Sequence, residues 1–320
     1  MPTPEERREF ETAVQAGVPP AALAAAAARA KTGAPDGVRT LAAALGHGGF
    51  VAPEAIPAIY GAFAAAWLGG PDGAPPLPDM PPVETLSADF WDAFWDIVAD
   101  AEAGLLDAGS ITQRVAALGG LLPASLRERA EAIARAHPKA ACPHERPAPP
   151  RLTMAELARQ PDGSLGAAFH RLIDENKFDL EVLDRDTIGL AALPPGLRYL
   201  NTRILQMHDV WHLVAGYRTT ALHEIGISAF QLAQFGHNYS AMLLATVAAA
   251  IAFGSPQAVP LVFGTVAEAW HHGTAAPSFM AIEWEDEWHR PVDAIRARHA
   301  IAPFAGSFPP DLFEQTRPAS

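Results

Sequence analysis

His208, Asp209, His212 and Glu224 stand inside an otherwise largely apolar stretch, "MHDVWHLVAGYRTTALHEIGISAF". On a helix, residues one, three and four apart project to the same side, so His208, Asp209 and His212 share a face. Gly216 is a natural helix stop, "YRTT" can carry the chain round, and Thr219 or Thr220 can cap the next helix. If the two helices fold back as a hairpin, Glu224 comes towards His212 and four ligating side chains converge. Two imidazoles and two carboxylates suit zinc, and equally iron, manganese or cobalt, because no thiolate selects a soft ion. A divalent cation would also remove the cost of burying two carboxylates in apolar surroundings.

Other readings of these residues stand beside that one. The two histidines can be satisfied structural side chains, with Asp209 and Glu224 as surface charges. "HDVWH" also parallels the peptidase pattern of two histidines four apart, with Asp209 as the base of a metal-dependent hydrolase, although aspartate is one methylene shorter than the usual glutamate. Along the second helix Glu224, Ser228 and Gln231 recur at four- and three-residue spacing, a polar line that can face a substrate. Elsewhere the candidates are weaker. Cys142 and His144 lie in proline-rich sequence, a poor frame for a metal. His271 and His272 are adjacent, diverge on a helix and read as structural. No glycine motif of the phosphate-cradling kind is visible, so no nucleotide cofactor is expected.

The elements that must position the site read as helices throughout, with no run of alternating strands and hairpin turns. "LSADFWDAFWDIVADAEAGLL" starts at a cap, Ser87, and carries Phe90, Trp91, Phe94 and Trp95 as an aromatic stripe expected to be core. "PAALAAAAARAK" has high helix propensity and almost no side-chain chemistry. The expected fold is all-α, a multi-helix bundle with the metal site on a helix-turn-helix hairpin. Two proline-dense stretches, 69–84 and 137–151, act as connectors. The second divides the expected organisation: an alanine-rich helical region of unknown role over 1–137, a linker over 138–150, a helical metal-binding domain over 151–301 and a tail over 302–320.

Thirty-six acidic residues against 23 lysines and arginines, a net charge of −13, exclude a nucleic-acid partner. The single cysteine cannot form an intrachain disulfide. "MPTPEERREFETAV" lacks the apolar core of a secretory signal, and a cytoplasmic protein is expected. The longest apolar run, Ala241–Phe253, is shorter than the ~20 residues that cross a bilayer and reads as a buried helix or a lipid-touching surface.

His, Asp, two residues, His, eleven residues and Glu, together with Tyr199 and Arg203 ahead of them and Gly216 after the second histidine, resemble the signature of the Coq-four family of coenzyme Q (ubiquinone) biosynthesis proteins. "IEWEDEWHRPVDAIRARHAI" is similar to that family's C-terminal helix and "MAELARQPDGSLGAAFHRLID" to its opening segment, so the resemblance runs from about Arg151 to Ile301. One departure is His223, where many relatives carry glycine; it reads as an exposed helix histidine, with an extra proton shuttle as the alternative. The resemblance implies an all-helical, metal-binding protein, peripheral on the inner membrane. It also implies oxidative removal of the carboxyl group from a polyprenylated 4-hydroxybenzoate-type ring, leaving a hydroxyl. The expected metal ligands are His208, Asp209, His212 and Glu224. Asp209 and Glu224 are the expected catalytic residues, and Arg203, Ser228 and Gln231 the expected substrate-facing ones. Expected partners are the prenylated quinone precursor, other ubiquinone-biosynthesis enzymes and a second copy of the chain. The alternative function is a non-catalytic lipid-binding scaffold for the biosynthetic complex.

Overall fold

The computed structural model describes residues 2–70, 75–78, 83–103, 108–140, 147, 149–181, 184–187 and 189–316. Among these every regular element is helical: α1 (Pro4–Ala16), α2 (Pro20–Lys31), α3 (Pro35–Phe50), α4 (Ile56–Leu68), α5 (Ala88–Glu102), α6 (Ala108–Gly119), α7 (Ala124–Ala136), α8 (Met154–Leu157), α9 (Leu165–Asn176), α10 (Pro195–Ala215), α11 (Ala221–Phe235), α12 (Asn238–Gly254), α13 (Val259–Ala275), α14 (Val292–His299) and α15 (Leu312–Thr316). The all-α expectation holds. Cys142 and His144 lie outside the described residues.

The apolar run at 241–253 resolves as core. It forms most of α12, which packs against α3, α5, α6 and α11 and buries Ala241, Leu244, Ala245, Ala248 and Ala249. Alanine on this helix lets backbones approach closely. At Gly49 of α3 even a methyl group is excluded, since a Cβ there would lie 3.0 Å from both the carbonyl carbon and oxygen of Ala241. No helix among the described residues is long and apolar enough to cross a membrane.

Ser87 caps α5 as expected, its Oγ accepting from the Phe90 amide at 3.2 Å. The aromatic stripe is core: Phe94 is fully buried among Phe10, Phe50 and Trp95, and Phe253 of α12 closes over Phe10 and Trp95. The N-terminal helices thereby share one continuous hydrophobic cluster with α9–α14, from Phe10 to Ile301. Lys139 adds a polar tie, its Nζ donating to the carbonyls of Gly273, Thr274 and Ala276 at the end of α13.

Two helices carry the candidate site. α10 opens on Pro195, whose missing N–H costs nothing at a first helical position, and ends at Gly216 with φ of 84°. α11 starts five residues later and packs along α13 and α12.

Candidate metal centre

Gly216 sets the corner for two reasons. Its left-handed backbone favours glycine, and a Cβ would meet Pro303 Cβ at 2.9 Å and Phe304 N at 3.1 Å. The chain beyond α14 straps across the corner. Phe304 donates its amide to Ala215 O at 2.7 Å and stacks on Tyr217 at 4.4 Å. His272, read from sequence as structural, accepts from the Tyr217 hydroxyl through Nδ1 at 2.9 Å and donates through Nε2 to Ala302 O at 2.8 Å. His223 is buried and closes the turn, its Nδ1 accepting from the Arg218 amide at 2.8 Å. That position therefore differs from the solvent-exposed helix histidine the sequence suggests. The cap of α11 also differs from expectation. Thr220 makes no side-chain cap and donates to Pro310 O at 2.6 Å, while Glu314 accepts from the Ala221 amide at 2.9 Å.

The corner brings His208, His212 and Glu224 together. His208 Nε2 lies 3.1 Å from Glu224 Oε2 and 3.1 Å from His212 Nε2, and His212 Nε2 lies 3.4 Å from Glu224 Oε1. Ligands held ~2.0–2.1 Å from a tetrahedral zinc stand ~3.3–3.4 Å apart, so these donors already have the spacing of a coordination edge. Outer contacts orient the rings. His212 Nδ1 donates to Tyr217 O at 3.3 Å, which leaves the lone pair of Nε2 facing the group. His208 Nδ1 faces the Gln231 side-chain amide at 2.9 Å.

Electrostatics favour charge here. Burial penalises the Glu224 carboxylate, but the adjoining His212 charge, the hydrogen bonds to both imidazoles and the His208 charge outweigh it, holding its pKa far below the usual range. Burial likewise opposes charge on His208, yet the Glu224 hydrogen bond and the charges of Glu224 and Asp209 raise its pKa above the ordinary value. Two imidazole nitrogens and a carboxylate in mutual contact thus form a locus where positive charge is stabilised, which fits a divalent cation.

The remaining sequence-predicted residues fall differently. Asp209, 9% exposed, stands outside the three-residue group but within electrostatic range of it; burial and Glu224 raise its pKa while the two histidines lower it. Gln231 is buried and touches His208, where its amide orients the ring. Ser228 turns its hydroxyl back on its own helix, donating to Glu224 O at 2.9 Å. Arg203 is 3% exposed and bidentate with Glu285, its Nη2 donating to Oε2 at 2.7 Å, so its guanidinium is committed to an internal pair. Sequence reasoning missed Tyr217 and the strap. The contacts that tie Tyr217 to His272 and to Phe304 join residues 55 and more positions apart in the chain and leave no local spacing signal.

Comparison with known proteins follows the same segment. A family model described as coenzyme Q (ubiquinone) biosynthesis protein Coq4 matches residues 144–305, which include the hairpin and the start of the strap. The chain is 27% identical over 154 residues to the mitochondrial ubiquinone biosynthesis protein COQ4 homolog of Mus musculus, covering 48% of this chain and 55% of that protein. It is 26% identical over 152 residues to the Homo sapiens counterpart, covering 47% and 55%. It thus spans about half the length of the curated relatives it matches. A crystal structure of a Nostoc punctiforme protein provisionally assigned to ubiquinone biosynthesis superposes with a TM-score of 0.51 at 25% identity, covering 66% of this chain and 96% of that one. The family model covers half the chain and contains the three-residue group, and the chain belongs to the Coq4 family of coenzyme Q (ubiquinone) biosynthesis proteins.

Proposed function

We propose that His208, His212 and Glu224, with Asp209 as a fourth donor, hold one divalent cation, zinc foremost and iron, manganese or cobalt as the alternatives. The protein then acts in ubiquinone biosynthesis on a polyprenylated 4-hydroxybenzoate-type ring. The bond from the ring to its carboxyl group breaks and carbon dioxide leaves; the ring carbon gains a hydroxyl whose oxygen comes from dioxygen, and the second oxygen atom leaves as water with two electrons and two protons drawn from a two-electron reductant of the reduced nicotinamide or flavin class. The observation that carries this reading is the contact of three ligand atoms, all within 4.8 Å of one another, inside the segment matched by the family.

A bound cation supplies Lewis-acid stabilisation of the negative charge that develops on substrate oxygen. The chain's own residues do the rest. Tyr217 O keeps the His212 tautomer that offers Nε2 inward. Gln231 fixes the His208 ring, and its amide serves the metal-binding tautomer by turning its oxygen to accept from Nδ1–H. Glu224 is the most exposed of the three, with 34% of its side chain open, and marks the side from which a substrate approaches. The prenyl tail contributes ~0.8 kcal/mol for each methylene it buries against apolar helix surface. Membership of a peripheral, membrane-facing assembly with other enzymes of the pathway belongs to the same proposal.

The test is metal analysis of native protein beside His212→Ala and Glu224→Gln, followed by incubation with a prenylated hydroxybenzoate, dioxygen, a two-electron reductant and candidate metals. One equivalent of metal, lost in both variants, with formation of the decarboxylated hydroquinone, is the expected result. Metal that supports folding while no metal gives turnover would assign the site a bracing role in a scaffold. Absence of metal from wild-type protein under all loading conditions would sink the proposal.

A further inference from the structure

Glu224 stands in the first turn of α11, which its own amide closes by donating to Thr220 O at 2.8 Å. First turns are where helices fray, because their leading amides lack partners inside the helix, and a side-chain cap ordinarily restrains them. Thr220 is a residue of the capping type, yet its hydroxyl donates to Pro310 O and gives α11 no cap. The Ala221 amide is instead taken from outside the helix by Glu314 Oε1 at 2.9 Å, across 93 positions of sequence.

Glu314 belongs to a segment that carries the strap on past residue 305, where the family match ends. That segment is anchored on α13. Ser307 donates its amide to Glu268 Oε2 at 3.0 Å and its hydroxyl to Glu268 Oε1. The ring of Phe308 lies over Gly264, where a Cβ would stand 2.9 Å from Phe308 Cε2. From Gly306 to Gln315 the residues are exposed or half-buried, and the only regular element is the short α15. Little apolar burial holds the segment, so its polar bonds to α13 and α11 decide whether it stays docked. One strap thus holds both ligand-bearing helices at the corner: Phe304 on Ala215 O at the end of α10, Glu314 on the first amide of α11.

We infer that residues 306–316 are a clamp for the metal centre, with Glu314 as its positioning residue. By capping α11 from outside, Glu314 keeps the first turn wound and so keeps Glu224 against His208 and His212. The inference rests on the proposed function for its effect on cation affinity, whereas the contact of Glu224 with the two imidazoles exists without a cation. Displacing the segment unwinds the start of α11, draws the carboxylate away from the rings and weakens the hold on the cation.

The experiment compares full-length Glu314→Ala, Glu314→Gln and Phe308→Ala with wild type. Losing a cap shifts a helix-end equilibrium by about 2–30-fold. In the metal-free Glu314→Ala protein, amide exchange at Leu222, His223 and Glu224 should quicken by about that factor, and the imidazole nitrogen shifts of His208 and His212 should move as the carboxylate withdraws. Phe308→Ala, which loosens the anchor on α13, should act in the same direction. Glu314→Gln keeps an oxygen that accepts from the Ala221 amide and should stay near wild type. Zinc affinity, from competition with a chromophoric chelator, should fall by more than about twofold in Glu314→Ala and Phe308→Ala. Wild-type exchange or imidazole shifts in either of those variants, or zinc affinity that ignores both, would overturn the inference. Those outcomes in a protein that binds zinc and turns over the prenylated substrate would leave the proposed function standing. Variant-dependent exchange and imidazole shifts in a protein that never binds metal would do the reverse.

Discussion

Replacing Gln231 by leucine isolates the part of the centre that the sequence did not show. The side chain is 3% exposed and makes one interaction within the site, its amide on His208 Nδ1 at 2.9 Å. Leucine has nearly the same volume, so α11 keeps its packing while the ring of His208 loses the partner that fixes its rotation and tautomer. Outer-sphere partners of metal-bound histidine contribute about 10–100-fold in affinity, or about 1.4–2.7 kcal/mol. The apoprotein should change far less, because a single buried hydrogen bond contributes about 0.5–1.5 kcal/mol net. Competition titrations with a chromophoric chelator give the affinity, and urea unfolding of the metal-free protein gives the stability. Gln231→Glu should bind metal at least as well as wild type, since a carboxylate accepts from His208 Nδ1–H more strongly. Unchanged metal affinity in Gln231→Leu, with intact helical signal, would refute the orienting role.

Three further outcomes are expected. His237 donates through Nε2 to Asn201 Oδ1 and accepts through Nδ1 from Ser240, both at 3.0 Å, and burial together with the nearby His208 charge pushes its pKa down to about 3. The unfolded chain takes up a proton near pH 6.5 that the folded protein refuses, so stability is full above that pH and falls by about 2 kcal/mol by pH 5 from this residue; urea unfolding at pH 7 and pH 5 should show that loss shrink in His237→Gln. Gly216→Ala forces a left-handed alanine and a Cβ 2.9 Å from Pro303, so unfolding free energy should drop by about 2–4 kcal/mol, and a wild-type midpoint would contradict the role of the corner. Glu285→Gln leaves the buried Arg203 guanidinium with a neutral partner and should cost about 1–2 kcal/mol with metal affinity unaltered; a selective loss of substrate binding would return Arg203 to the substrate-facing role.

The sequence by itself determined the helical class and the two ends of the site. Apolar periodicity, Pro195, Ser87 and Gly216 act locally, through backbone sterics and capping, and the observed helices follow them. The four-residue spacing of His208 and His212 is a property of one helix, and with Gly216 as the stop it brought Glu224 into reach. What surrounds those three ligands was decided by tertiary packing. Asp209 sits beside His208 in sequence, yet its carboxylate lies outside the three donor atoms already in contact, because adjacent helical residues point about 100° apart, and it has to turn inward to serve as the fourth donor. Arg203, Gln231 and His223 found partners on other segments: Glu285, His208 and the turn amide of Arg218. The strap through Phe304 closes the corner from nearly 90 residues away. Contacts of that kind arise from burying apolar surface and satisfying each enclosed polar group, and neither condition is written in the spacing of any single helix.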